Sequence, residues 1–442
     1  MRVLYICNEY PPAIHGGIGV FVSTLAAELA AAGHNIAVIG FASHVREQTI
    51  ANENGVRIVR LPWPRSRYAV RLGGFGLDSA ALAARKMLSR EVALLAAEFR
   101  PDVVESHDWS GPLWTRPWRP LIVRLHGASS VHALSSGKKA GRLLRFFERR
   151  NLRMADAIVS PSHFIGRTTF EALRLGDKTF KILHHGIDAE KFRPEESLRA
   201  PNEVLFAGTV KKQKGIQELF QAIPRILDGF PEARFTIAGR YPADPSHSCS
   251  PQALLQALES SLPSETGSCE KNDSTLFGGL CSGASGKRSI PTIPPVQRAA
   301  DGGAAPAAAA KVRFLGHVPQ PYLPSLFSRA AVAVFPSYNE AFGLACAEAM
   351  ACGAAVVMTA RGSGPELVEH GQSGLLVEPE DPRAIAVAIQ RLLGDATLRR
   401  RLGAAARSRV AEKFNLRDTV ARNVAFYEQV SNRFRSRQPV HA

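Results

Sequence analysis

One stretch, residues 331–358, constrains the fold more than any other part of the chain. An apolar run from Ala331 to Phe335 ends at Pro336-Ser337, a loop carries Glu340, a helix opens at Gly343, and after Gly353 a second apolar run extends from Ala354 to Met358. Strand, helix and strand in that order belong to an open parallel α/β sheet, so Glu340 stands at the carboxyl end of the sheet, where such folds bind ligands. Free amides at Phe342, Gly343 and Leu344, together with the helix dipole, favour an anion, and Gly343 lets it come close. Glu348 follows about two turns into the helix. At roughly 100° per residue it does not share a helix face with Glu340, which precedes the helix and reaches what its N-terminus faces. The arrangement suits a sugar diphosphate.

The amino-terminal part repeats the plan. Residues 2–7 form a candidate strand, Pro11-Pro12 and Gly16-Gly17-Ile18-Gly19 make a turn-rich loop, and a helix follows with apolar positions at Phe21, Leu25, Leu29 and Ala32 and a stop at Gly33. Ile36–Gly40 is the next strand. A glycine loop between strand and helix cradles phosphates. The spacing is not G-x-G-x-x-G, and Gly40-Phe41-Ala42 closes the second strand without an acid, which disfavours a dinucleotide dehydrogenase. Further strands are expected at Val103-Val104, Leu121–Leu125, Ala157–Val159 and Lys181–Leu183, alternating with helical or loop stretches.

A second unit starts at Glu203–Ala207, turns at Gly208 and enters a helix at Gly215. Strands are expected at Phe235–Ala238, Val312–Leu315, Ala331–Phe335, Ala354–Met358 and Leu375–Val377, and helices over about 382–393, 396–414 and 416–430. Between Tyr241 and Ala310 the pattern breaks down into Ser, Pro, Gly and Ala, apart from a helical piece near Leu254–Leu262. This is expected to be a largely disordered insertion of about 242–310.

At 442 residues the chain exceeds what one core usually organises. Its six cysteines, Cys7, Cys249, Cys269, Cys281, Cys346 and Cys352, lack finger spacing, which argues against structural zinc and a disulfide scaffold and suits reduced, cytosolic thiols. The first apolar run is too short for a signal peptide, and no window offers the roughly 20 apolar residues of a membrane span. Net charge is +16, of which +10 falls in residues 1–200 and +6 beyond. Such an excess favours polyanions or an anionic bilayer without naming which. Residues 137–153 interleave Lys138, Lys139, Arg142, Arg145, Arg149, Arg150 and Arg153 with Leu143, Leu144, Phe146 and Phe147. This basic amphipathic helix either packs its phenylalanines on the sheet or makes peripheral contact with an anionic membrane. It has no series of stacking aromatics for bases, so nucleic acid is not expected.

Glu340 and Glu348 match the E-x7-E pattern, and the chain resembles the retaining, nucleotide-sugar-dependent glycosyltransferases of family 4. The resemblance implies a GT-B fold, two Rossmann-like doubly wound lobes facing across a cleft, with a C-terminal helix returning to the first lobe. It places an acceptor-side lobe at 1–197, a donor-side lobe at 198–415 and the returning helix at 416–442. It also implies that Glu340 contacts the donor sugar and Glu348 the ribose. His126, in the pair His126-Gly127, would lie near the donor sugar. Gly16 and Gly17 match the first-lobe glycine loop, while His185-Gly186-Ile187-Asp188 resembles the family's Asn-Gly-Ile-Asp segment with histidine for asparagine. The family's Gly-Arg followed by Lys-Gly appears as Gly208-Thr209 and Lys214-Gly215, so Thr209 stands in the arginine's place and either Lys211 or Lys212 supplies the charge or leaving-group stabilisation is reduced. Gly362-Ser363-Gly364-Pro365-Glu366 resembles the Gly-Gly-x-x-Glu turn.

These assignments imply transfer of a hexose-type sugar from a nucleoside diphosphate to a saccharide or lipid-linked acceptor hydroxyl, in cell-envelope or exopolysaccharide and glycolipid synthesis. Catalytic roles fall on Glu340, His126 and Lys214. Donor binding falls on Gly17, Thr209, Lys214, Phe342, Gly343, Leu344 and Glu348, and acceptor binding on Gly16, Asp108 and His126. No metal and no cofactor beyond the donor is expected, and the site of action is the cytoplasm or the inner face of the membrane. The alternatives are a non-catalytic sugar-nucleotide-binding protein, or another GT-B enzyme such as a phosphorylase or epimerase.

Overall fold

The computed structural model describes residues 1–12, 16–64, 79–135, 139–242, 244, 246–261 and 308–436, with backbone alone at 79–80 and 134–135. Lys138, Cys269, Cys281 and most of the 242–310 insertion lie outside the described residues. Two sheets organise what is described. The first holds β1 (Arg2–Ile6), β2 (Asn35–Phe41), β3 (Thr49–Glu53), β4 (Val56–Leu61), β5 (Val103–His107), β6 (Leu121–Arg124), β7 (Ala157–Ser160) and β8 (Lys181–Ile182), in the order β3-β4-β2-β1-β5-β6-β7-β8. The second holds β9 (Glu203–Ala207), β10 (Arg234–Ala238), β11 (Val312–Gly316), β12 (Val332–Phe335), β13 (Ala355–Thr359) and β14 (Leu375–Val377), in the order β11-β10-β9-β12-β13-β14. Every pairing is parallel except β3 with β4. Central strands are buried on both faces, as parallel sheets covered by helices on both sides require.

The antiparallel hairpin β3–β4 is absent from the sequence expectation. Its turn is Asn54-Gly55 with φ of 52° and 77°, the left-handed pair that a two-residue hairpin requires. An edge strand whose residues are mostly exposed lacks the apolar run that marks the others. The helix Pro251–Ser260 lies inside the expected insertion yet buries Leu254 and Leu258, together with Cys249, in the second-lobe core, so part of that interval is ordinary core structure.

The long terminal helix Leu416–Arg435 returns to the first lobe through a buried polar cluster. Arg124 donates from Nε to Glu105 Oε1 at 2.6 Å and from Nη2 to Asn423 Oδ1 at 2.6 Å, and Tyr427 donates to Glu105 Oε2 at 2.8 Å. Leaving one member of such a charged network unpaired inside the core costs several kcal/mol, roughly 3–5, which makes the docking specific. Arg124 also lies over the Phe21 ring, 4.8 Å from its centroid, so the anchor of the last helix abuts the floor of the cleft between the sheets.

Candidate active site between the two sheets

Gly215 explains how two distant stretches meet. It holds φ +69° at the start of the helix Ile216–Gly229, and a Cβ there would lie 1.9 Å from the Pro336 carbonyl oxygen. No other residue lets the Lys214 turn pack directly on the exit of β12. The Tyr338 amide donates to the Gln213 carbonyl at 3.0 Å, which ties the two loops together. Lys214 Nζ consequently donates to Glu340 Oε1, and Ser337 Oγ donates to the same oxygen at 2.8 Å.

Just beyond, Gly343 takes φ +94° and starts the helix Leu344–Ala351. The cavity at that helix start is lined by Lys214, Glu340 and Phe342–Leu344 from the second lobe and by Gly17, His126 and His185 from the first. A Cβ added at Gly17 would come 3.5 Å from Leu344 Cδ1, so the two glycine-opened helices approach each other across the cleft. First-turn amides, a lysine and an acid around one concavity have the chemistry that suits a phosphate ester.

The first-lobe wall consists of neutral rings. His126 follows β6, its ring 5.7 Å from that of His185. Burial, then the charges of His185 and Arg124, holds its imidazole well below the ordinary value. His185 stacks on Phe21 with centroids 4.3 Å apart and lies 5.1 Å from Phe342. It is only 4% exposed, burial pushes its pKa down to about 3, and among the described residues neither ring nitrogen has a partner. The sequence marked His185 only as part of a segment that closes a lobe. Its departure from the family's asparagine is the signal that could have flagged it.

Four expected site residues, Asp108, Thr209, Gly16 and Glu348, do not line this cavity. Asp108 is completely buried under His126, whose amide donates to Asp108 Oδ1 at 2.9 Å, so it supports the cleft wall instead of lining it. Burial raises its carboxyl to about 7, against the lowering effect of that amide. Thr209 is exposed, and its neighbour Gly208 lines the cavity in its place. Gly16 precedes the first helix, where an added Cβ would face Glu9 Oε2 at 3.5 Å. Lys211 is half-buried; burial, then the neighbouring Lys214 charge, lowers its ammonium while Glu340 raises it. It therefore adds a cation near the Lys214–Glu340 pair.

Glu348 points away from Glu340 into a second cavity with Thr24, Lys191, Gln320, Leu344 and Thr419. At 7% exposure it is desolvated, and burial raises its pKa to about 8 against the pull of Lys191. Leu344 lines both cavities, so they are neighbours on either side of one helix start. Among the described residues no cluster of three or more His, Cys, Asp or Glu could hold a metal ion.

Residues 16–174 match the glycosyl transferase 4-like domain, and residues 307–409 match the glycosyl transferases group 1. The chain belongs to the family 4 type of GT-B glycosyltransferases. Glycogen synthase of Mycobacterium tuberculosis is 27% identical, the alignment covering 99% of this chain and 97% of that protein. Among solved structures, sucrose-phosphate synthase from Thermosynechococcus elongatus superposes with a TM-score of 0.73 at 21% identity, over 97% of this chain and 98% of that one. HepE of Anabaena, solved with UDP and glucose, gives 0.64 at 16% identity, over 97% and 100%. These two share the fold. This glycosyltransferase thus carries the expected GT-B architecture, and its cavity lies where the two lobes face each other.

Proposed function

We propose that this glycosyltransferase moves a sugar from a nucleoside diphosphate to an acceptor hydroxyl with retention of anomeric configuration and without a metal ion. One observation carries the reading: Lys214 and Glu340, 126 residues apart, meet at the start of the helix Leu344–Ala351, opposite His126 and Gly17. The diphosphate would occupy the amides of that helix and draw Lys214 from Glu340, freeing the carboxylate for the sugar hydroxyls. Departure of the nucleotide builds charge on its phosphate, and a preorganised ammonium with helix-terminal amides stabilises that charge. Lys211 supplies the second positive charge. Glu348, in the adjoining cavity, takes the ribose.

Retention by a same-face route fits the first-lobe wall, where His126 and His185 stand and Asp108 is buried beneath. Among the described residues no first-lobe carboxylate lines the cavity to serve as the second acid of a double displacement. HepE, by its bound contents, makes uridine diphosphate glucose the first donor to test, and glycogen synthase, by its name, makes a saccharide hydroxyl the first acceptor.

The helix Arg142–Met154 is the proposed membrane-facing element. Arg145, Arg149 and Arg150 donate to the carbonyls of Ala172, Arg174 and Trp114, which leaves Phe146 54% exposed among cationic side chains. No described helix is long and apolar enough to cross a membrane. The deciding experiment incubates the protein with uridine, guanosine and adenosine diphosphate sugars and saccharide acceptors and follows product anomers by NMR, with and without chelator. Inverted product or chelator-sensitive turnover overturns the mechanism. Binding without turnover favours the sugar-nucleotide-binding alternative.

A further inference from the structure

Glu366 lies outside the cavity, yet it makes a direct contact between the lobes. Its carboxylate accepts the backbone amides of His163 and Phe164 at 2.8 Å each. Those are the first two amides of the helix His163–Leu173, whose N-cap Ser162 receives the third, from Ile165, at 3.2 Å. A helix start has amides with no internal partner and a positive dipole end, and here an acid from the other lobe supplies the acceptor. Ser162 also donates its hydroxyl to the Ala341 carbonyl at 2.8 Å, so the same helix start grips the peptide next to Glu340.

The turn that carries Glu366 is itself tied to Glu340. The Ser363 amide donates to the Glu340 carbonyl at 3.1 Å, and Gly362, at φ +65°, lies so close that a Cβ there would be 2.9 Å from both Glu340 N and O. Arg409 holds the turn from behind, donating to the Glu366 and Leu367 carbonyls at 3.0 and 2.7 Å. These three links from the first-lobe helix start to the other lobe therefore end on Glu340's own loop or on the turn beneath it.

We infer that Glu366 is a positioning residue: it latches the second lobe onto the start of the helix His163–Leu173 and thereby sets the placement of Glu340 when the cleft is closed. The latch is reversible by construction, because opening hands two amides and a partly exposed carboxylate back to water, a nearly balanced exchange. It acts on geometry and not on donor affinity, since the cavity residues of the second lobe remain together when the lobes separate. The inference rests on the proposed role of Glu340.

Glu366→Ala, Glu366→Gln and Ser162→Ala are compared with the parent protein in two ways. One is steady-state turnover of the donor selected above; the other is small-angle X-ray scattering with saturating uridine diphosphate. In Glu366→Ala, kcat is expected to fall about 10–100-fold while donor KM moves less than about threefold, with part of the loss restored in Glu366→Gln, whose amide oxygen still accepts. Its radius of gyration should exceed that of the parent under the same conditions. Equal kcat in Glu366→Ala and the parent overturns the inference, as does an equal radius of gyration. Should Glu366→Ala fail to fold, Glu366→Gln and Ser162→Ala carry the same comparison with smaller expected losses. If no form turns over any donor, the reading of Glu340 falls, while the scattering comparison still decides whether the latch exists.

Discussion

The two walls of the cleft are built at equivalent places, the carboxyl ends of parallel strands, yet they hold opposite chemistry. On the second-lobe side, Lys214 and Glu340 are partly exposed and paired, and the half-buried Lys211 feels the charges of both. On the first-lobe side, His126 and His185 are desolvated rings held neutral, with aromatic neighbours. Charge that must be neutralised during a reaction belongs where fixed cations and amides already wait, and a ring wall excludes water from the opposite side. On the proposed function the contrast divides the labour: one wall would stabilise the leaving group, the other would shape the space for the sugar and acceptor.

Removing the charged wall should have the largest effect. Glu340→Ala is expected to lower kcat/KM by about 10³-fold or more with the fold intact, measured by turnover beside circular dichroism. Unchanged activity removes Glu340 from the chemistry. Lys214→Ala should follow at about 10²-fold, chiefly in kcat, and Lys211→Ala at about tenfold; a Lys211 effect equal to that of Lys214 would mean that the two share the leaving group equally.

The remaining predictions test burial through stability. Glu348 has a folded pKa of about 8 against an ordinary 4.5, so the folded state holds its proton longer than the unfolded chain does. Stability is therefore lost as pH rises from about 4.5 to 8, and Glu348→Gln should gain on the parent across that window, by about 2 kcal/mol or more at pH 8.5 and by little at pH 4.5. Denaturant titration at both pH values reads this; a gain that does not depend on pH would place Glu348 in water. His185 has the opposite slope. Its pKa of about 3 lies below the ordinary 6.5, so the unfolded chain takes up the proton first and stability falls as pH drops from about 6.5 toward 3. His185→Asn, the family's residue, should gain about 1–2 kcal/mol at pH 5 relative to its effect at pH 7.5. A flat difference between the two pH values would mean that the ring is hydrated.

Strand positions were legible because a buried parallel strand writes its burial on both faces as a continuous apolar run. Glu203–Ala207 and Leu375–Val377 coincide with their expected bounds, and the other expected strands overlap theirs. β3 was not legible in that way, since its edge position leaves most of Thr49–Glu53 exposed, although Asn54-Gly55 carried the turn. In the site, Lys214, Glu340, Gly343 and His126 could be marked from local pattern, a charged residue beside a glycine turn or strand end. Asp108 matched the same pattern and is buried, because a strand end faces the cleft or the core according to which helices pack on it.

What the sequence determined alone is the order of strands, glycine turns and helices, and with it two lobes whose loops gather at one edge of each sheet. Those are local properties, set by backbone preference and by the period of apolar residues. Tertiary structure decided the rest: that Glu340 and Glu348 face separate cavities, that His185 shares a wall with His126, and that Glu366 ends on another lobe's helix. Each depends on how separate elements pack, as does the burial of Asp108, 18 positions from the His126 amide, and the Glu366 contact spans 203 positions to the His163 amide. Burial and partnership over such separations are fixed by how the layers pack, and no local pattern of residues encodes them.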